Sequence, residues 1–163
     1  MGTGVRHAPD SAFLRLKRRS LASALVVFDA WVLNGDRHAH NIFFDPATTQ
    51  TMIFDYGDAL FGTQPRGVRH LEAQRGRLNV AKHVVPPHLT RLDGLKRGIE
   101  RVQALPPFVV EDAVASAVGA GITEAEAKFC IDFLVERAHR LRELFNRERF
   151  RFVGIAPEAW QGL

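Results

Sequence analysis

Residues 28–57, FDAWVLNGDRHAHNIFFDPATTQTMIFDYG, set the tightest limits on what this chain can become. Two polar clusters, residues 34–41 and 55–57, bracket two short apolar runs, Ile42-Phe43-Phe44 and Met52-Ile53-Phe54. A polar connection that opens with Asp45-Pro46-Ala47 and closes with Thr48, Thr49, Gln50 and Thr51 joins the runs. Apolar runs on either side of a polar turn are the pattern of a β-hairpin. Paired symmetrically, Ile42, Phe43 and Phe44 face Phe54, Ile53 and Met52. Asn41 then stands opposite Asp55 at the open end, where facing Cβ atoms lie roughly 5 Å apart. In that register one divalent cation touches both side chains.

A carboxylate and an amide carbonyl are hard oxygen ligands, and they suit magnesium, which fills its remaining positions with waters and phosphate oxygens. Asp36, in the loop ahead of the first strand, adds a third polar group. Phosphoryl transfer divides its labour in this way: one carboxylate near the attacking hydroxyl, and an Asn and an Asp holding the cations that bridge the nucleotide phosphates. The stretch is therefore expected to be a catalytic end that uses magnesium and ATP.

The wording of the loop carries a family resemblance. Asp36, four residues and Asn41, followed by Asp55-Tyr56-Gly57, resemble the catalytic loop and the metal-binding Asp-Phe-Gly element of the protein-kinase-like fold. Ordinary protein kinases place His-Arg before the Asp, whereas Asn34-Gly35-Asp36-Arg37-His38-Ala39-His40-Asn41 places Arg-His after it. That order is similar to HipA-like kinases and to phosphatidylinositol 3- and 4-kinases, and the preceding FDAWVLN resembles the HipA-like side more. The resemblance reaches from about Leu21 to Phe61. It implies Asp36 as the catalytic carboxylate, His38 as an orienting residue and Asn41 and Asp55 as ligands of magnesium and so of ATP. The reaction implied is transfer of the γ-phosphoryl of ATP to a hydroxyl, with a protein Ser or Thr as the leading acceptor.

The fold class implied is mainly α with a small β-hairpin: the C-terminal lobe of the protein-kinase-like α+β fold, without its N-terminal lobe. A working kinase also needs a cover over the phosphates and a lysine paired to a glutamate. Residues 1–35 have no strand pattern for such a lobe, so a partner chain is expected to supply it. The alternative is a truncated pseudokinase or a regulatory, protein-binding module. A lesser alternative is a metal-dependent hydrolase using His38 and His40, because His-x-His on a strand puts both rings on one face. His7, His70, His83, His88 and His139 are scattered and mark no third ligand. Geometry separates the two chemistries: the kinase reading needs Asn41 and Asp55 to converge, the hydrolase reading His38 and His40.

The remaining sequence is read as one domain over 1–163, large enough to bury a core. Residues 1–10 read as a loose leader. Asp10 or Ser11 then caps a helix in which Leu14, Leu21, Leu25, Phe28 and Val32 recur at helical spacing. Only Ser23 and Asp29 interrupt the apolar run from Leu21 to Leu33, which marks a buried helix. At about 13 residues the run falls short of the roughly 18 to 20 that span a bilayer, so no membrane span and a cytoplasmic location are expected. The lone Cys130 reads as a small buried hydrophobe.

The net charge of +4 is concentrated at the start, where Arg6, Arg15, Lys17, Arg18 and Arg19 face a single acid, Asp10. A solvated helix end is the plain reading; nucleic acid, an anionic membrane or an acidic protein is the other. After the 11–61 unit, residues 62–88 read as a polar, arginine-bearing loop in the place of an activation segment. Residues 89–163 read as a helical subdomain: a helix through Leu89, Leu92, Leu95, Ile99 and Val102, a shorter one from Val109 to Val118, and a long one opened by Thr123 and Glu126 as a capping box. Its stripe is Ile131, Leu134, Ala138, Leu141 and Phe145, and the tail through Trp160 packs back on the domain.

Overall fold

The computed structural model describes residues 6–7, 19–45, 48, 50–62, 67–118 and 121–163. In chain order these form β1 (Arg6–His7), α1 (Arg19–Trp31), β2 (Ile42–Phe44), β3 (Thr51–Ile53), α2 (Gly67–Gln74), α3 (Asp93–Gln103), α4 (Pro107–Val118) and α5 (Glu124–Arg147), with single turns of tighter helix between and after them. The fold is mainly helical with a small antiparallel sheet in the order β1-β2-β3. The expected leader is not all loose: Arg6 and His7 pair with Phe44 and Phe43. The expected cap at Asp10 or Ser11, and Leu14, lie outside the described residues.

Helix α1 runs through the centre. Ala22, Leu25, Val26, Val27 and Ala30 are all buried, and α3 and α5 pack on it. The buried stripe differs from the expected one at Phe28, which is 41% exposed. Small residues, rather than the largest ones, mark the inner face, because they let a neighbouring backbone come close. Gly98 of α3 is the counterpart: a Cβ there would sit 2.9 Å from Val27 Cγ2. The glycine that weakens α3 by propensity is what lets the two helices touch. Beyond Trp31 the helix stops, because Leu33 is left-handed (φ 59°) and the Asn34 amide turns back to the Asp29 carbonyl at 2.8 Å.

Helix α5 starts as expected, with Thr123 Oγ1 accepting the Glu126 amide at 3.2 Å and Glu126 Oε2 accepting the Thr123 amide at 2.9 Å. Leu134, Ala138, Leu141 and Phe145 are buried and Ile131 partly so. Cys130 is buried, and burial pushes its thiol up to about 11. Phe152, Ile155 and Trp160 fold back into the core, as the tail's apolar residues suggest.

Arg137 of α5 is buried and makes no salt bridge among the described residues. Its Nε donates to the Ala30 carbonyl at 2.7 Å, Nη1 to Gln74 at 3.2 Å and Nη2 to Arg77 at 2.7 Å. These are carbonyls at or just past the C-terminal ends of α1 and α2, where a cation is favoured and unpaired acceptors wait. Burial lowers the guanidinium to about 10, still well above neutral pH.

The expectation of a polar loop at 62–88 is corrected. The described part holds α2 and a single turn at Pro86–His88, and Leu71, Leu78, Val80 and Val85 are fully buried or nearly so. Arg75 is not turned to a ligand either; it pairs with Glu136 and lies over the Phe129 and Phe133 rings. Four apolar side chains spread over fifteen residues show no period, yet they are enough to bind the segment to the core.

Candidate functional site

The site begins with a charge in an apolar helix. Asp29, in the last turn of α1, is fully buried and cannot remain ionised there without partners. Arg37 supplies them in a fork, Nε to Oδ2 at 2.8 Å and Nη2 to Oδ1 at 3.1 Å, and Asn34 Nδ2 adds a bond to Oδ1 at 3.2 Å. His83 closes the cluster from the 80–85 segment. Its Nδ1 accepts the Val85 amide at 3.2 Å, so the neutral ring carries its proton on Nε2. That nitrogen lies 3.1 Å from Asp29 Oδ2, but poorly aligned for a hydrogen bond.

Burial alone would raise the Asp29 carboxyl; the contacts from His83 and Arg37 outweigh it and hold the group below the ordinary 3.8. Burial lowers His83, against the pull of Asp29. The cluster is therefore one carboxylate, one guanidinium and one neutral imidazole.

Arg37 also ties the hairpin to this cluster. Nη1 donates to the Phe54 carbonyl at 2.5 Å, the guanidinium carbon lies 4.6 Å over the Tyr56 ring, and the Arg37 carbonyl accepts the Val84 amide at 2.9 Å. One residue thus joins α1, the loop and the end of β3 through its side chain and the His83 segment through its backbone carbonyl.

The expected site residues surround this anchor. Asp36 and His38 point outward, about half exposed, with His38 Nε2 3.9 Å from Asp36 Oδ2. His38 Nδ1 is buried and has no hydrogen-bond partner among the described residues. Asn41 is 5% exposed, and its Nδ2 donates to the Asp36 carbonyl at 3.2 Å. Asp55 is exposed, left-handed (φ 62°), and accepts the Gly57 amide on Oδ1 at 3.2 Å.

The expected pairing of Asn41 with Asp55 is not realised. The register is Ile42 with Ile53, Phe43 with Met52 and Phe44 with Thr51, one residue short of the symmetric scheme. The Phe54 amide, not that of Asp55, meets the Asn41 carbonyl at 3.3 Å. Thr51 belongs to β3 rather than to the connection, and Asp45 and Gln50 close the turn at 3.0 Å. Because side chains alternate along a strand, a shift of one moves a residue to the other face. Asp55 is instead the second residue past β3's last pair, where its positive φ re-aims the chain.

His38 and His40 do come together, ring centroids 5.7 Å apart and edge to face. Among the described residues, however, no three His, Cys, Asp or Glu side chains gather as a metal cage. A polar cavity of about 270 Å³ opens beside Asp36, walled by Asp58, His70, Gln74, Asn79 and Lys82. Gly35 makes its edge possible, since a Cβ there would sit 2.8 Å from Asn79 Nδ2.

Sequence reasoning missed the role of Asp29 and His83 and did not place Arg37 in the core. Asp29 carried a usable signal: a lone carboxylate inside a buried helix needs a cation, and Arg37 is the first one downstream. Nothing in the sequence marks His83. Comparison with known protein families, curated proteins and solved structures finds no match to this chain. Among the described residues no helix is long and apolar enough to cross a membrane.

Proposed function

We propose that this chain is a kinase-like phosphotransferase lobe of the HipA-like kind, which transfers the γ-phosphoryl of ATP to a hydroxyl, with a protein Ser or Thr as acceptor. A nucleotide-covering lobe on a partner or adjoining segment completes it, and the single buried thiol suits a reducing cytosol. The observation that carries the reading is the anchored loop. Asn41 is bonded to the Asp36 backbone, and Arg37 grips the carbonyl of Phe54, the residue just before Asp55. Asp36, Asn41 and Asp55 thereby issue from one loop and one strand end held by a single buried ion pair.

In this reading Asp36 accepts the hydroxyl proton and His38 orients it. Asn41, whose amide nitrogen is spent on the loop backbone, offers its oxygen to magnesium from the loop, and Asp55, which is not its cross-strand partner, offers a carboxylate from the turn past β3, so the ion and not the strand register has to bring the two together. Hard oxygens of this kind fit that ion, which supplies charge neutralisation for the phosphates when bound. The cavity beside Asp36 is the acceptor's side. An NMR titration with ATP tests the reading. Magnesium-dependent shifts at Asn41, Asp55 and Gly57 are expected; they vanish in Asp55→Ala and persist in Asp45→Ala. No magnesium-dependent response in the parent chain would sink it.

A further inference from the structure

A second cavity, of about 170 Å³, lies where α1 begins and α3 begins. Its wall brings Ser20 and Ser23 of α1 together with His88, Thr90 and Arg91 of the connecting segment and Arg97 of α3. We propose that it binds a single phosphate group, as the free ion or as a small phosphate monoester. The wall residues carry groups of that chemistry, two guanidiniums with five N–H donors each, three hydroxyls and an imidazole, brought to one cavity from segments some seventy residues apart in sequence.

Size decides against a larger ligand. Sites that enclose a drug-sized molecule run to roughly 300–1,000 Å³, so this cavity takes a phosphate head but not a whole nucleotide. Ser23, 3% exposed, is its most buried wall residue, while Arg91 and Arg97 stand at its exposed rim. Asp93 is the one acid in the wall. It holds Arg91 Nη2 at 2.6 Å, which fixes that guanidinium at the rim and leaves its other donors for the ligand. The side chains rather than the start of α3 carry the site.

The charge pattern of the sequence points the same way. The basic run Lys17-Arg18-Arg19 ends at Ser20, the first residue of the cavity wall, and the kinase-like reading makes no use of it. A net positive chain raises the local concentration of an anion around it and speeds its capture.

Calorimetric titration of the full chain with inorganic phosphate, at constant ionic strength set by chloride, tests the proposal. Saturable binding at one site is expected. It should weaken about tenfold in Arg97→Ala and in Arg91→Ala, the loss of one charge-assisted contact each, and stay unchanged in Arg149→Ala, an exposed arginine elsewhere. Titration with glycerol 3-phosphate separates the two sources: tighter binding than the free ion identifies a monoester, equal or weaker binding the ion itself. Equal weakening in all three variants would mean general attraction to a basic surface and overturn the site, as would the absence of saturable binding.

Discussion

Asp36 and Arg37 are neighbours in sequence and opposites in structure. Arg37 is fully buried and bound to Asp29, Phe54 and the Asn41 carbonyl, whereas the Asp36 side chain is about half exposed, with His38 Nε2 3.9 Å from its Oδ2. Arg37 holds the loop, and in the function proposed above Asp36, the residue before it, is left free to act. The division has a physical basis: a group that must meet a substrate has to keep its bonding capacity open, so the energy that fixes its position has to come from somewhere else. Here it comes from a buried ion pair, which matters less for net stability than for the penalty of disturbing it.

The sharpest break of this comparison is Arg37→Ala. It strands Asp29 in the core and should cost about 3–5 kcal/mol in urea or thermal unfolding, a large part of the 5–15 kcal/mol typical of a domain. Arg37→Lys keeps the charge but not the fork or the bond to Phe54, and about 2 kcal/mol is expected. A loss below about 0.5 kcal/mol in either variant would mean that the loop is held by something else.

Acid should act on the same cluster. The fold lowers the proton affinity of His83, so as pH falls the unfolded chain takes up a proton first. The stability contribution is full above the ordinary histidine value of 6.5 and drains away as pH drops below it, until the lowered folded value is reached. The slope is at most about 1.4 kcal/mol per pH unit, and it should flatten in His83→Gln. Asp29 adds a second loss at lower pH, as its own depressed carboxyl is protonated.

At the other end of the comparison, Asp36→Asn and Asp55→Asn, which keeps a residue suited to the left-handed φ of 62° at 55, should change stability by no more than about 0.5 kcal/mol, since neither side chain supports the core. Unfolding curves that overlay the parent, beside the large shift of Arg37→Ala, would confirm that holding and acting are separate. A costly Asp36→Asn would erase the distinction.

How far each region could be read in advance follows the range of its determinants. The Thr123 and Glu126 box, the hairpin's two apolar runs and the burial of Phe152 and Trp160 are written in short patterns. The 62–88 segment was misread because Leu71, Leu78, Val80 and Val85 lack any local period; only the surfaces of other elements give them a place. The loop's chemistry was legible as residue types at fixed spacing, whereas the partner of Arg37 was signalled only by the lone acid in the buried helix, among several acids near it in sequence.

The amino-acid order by itself determined that this chain is mainly helical, carries one hairpin and sets Asp36, Asn41 and Asp55 beside that hairpin in sequence. The tertiary structure alone decided that Asn41 meets Phe54, that Arg37 goes inward to Asp29, and that His83 joins them. Local patterns name elements because backbone and solvent act on neighbouring residues. Registers and buried charge partners depend on which distant groups share a dry space, and only packing settles that.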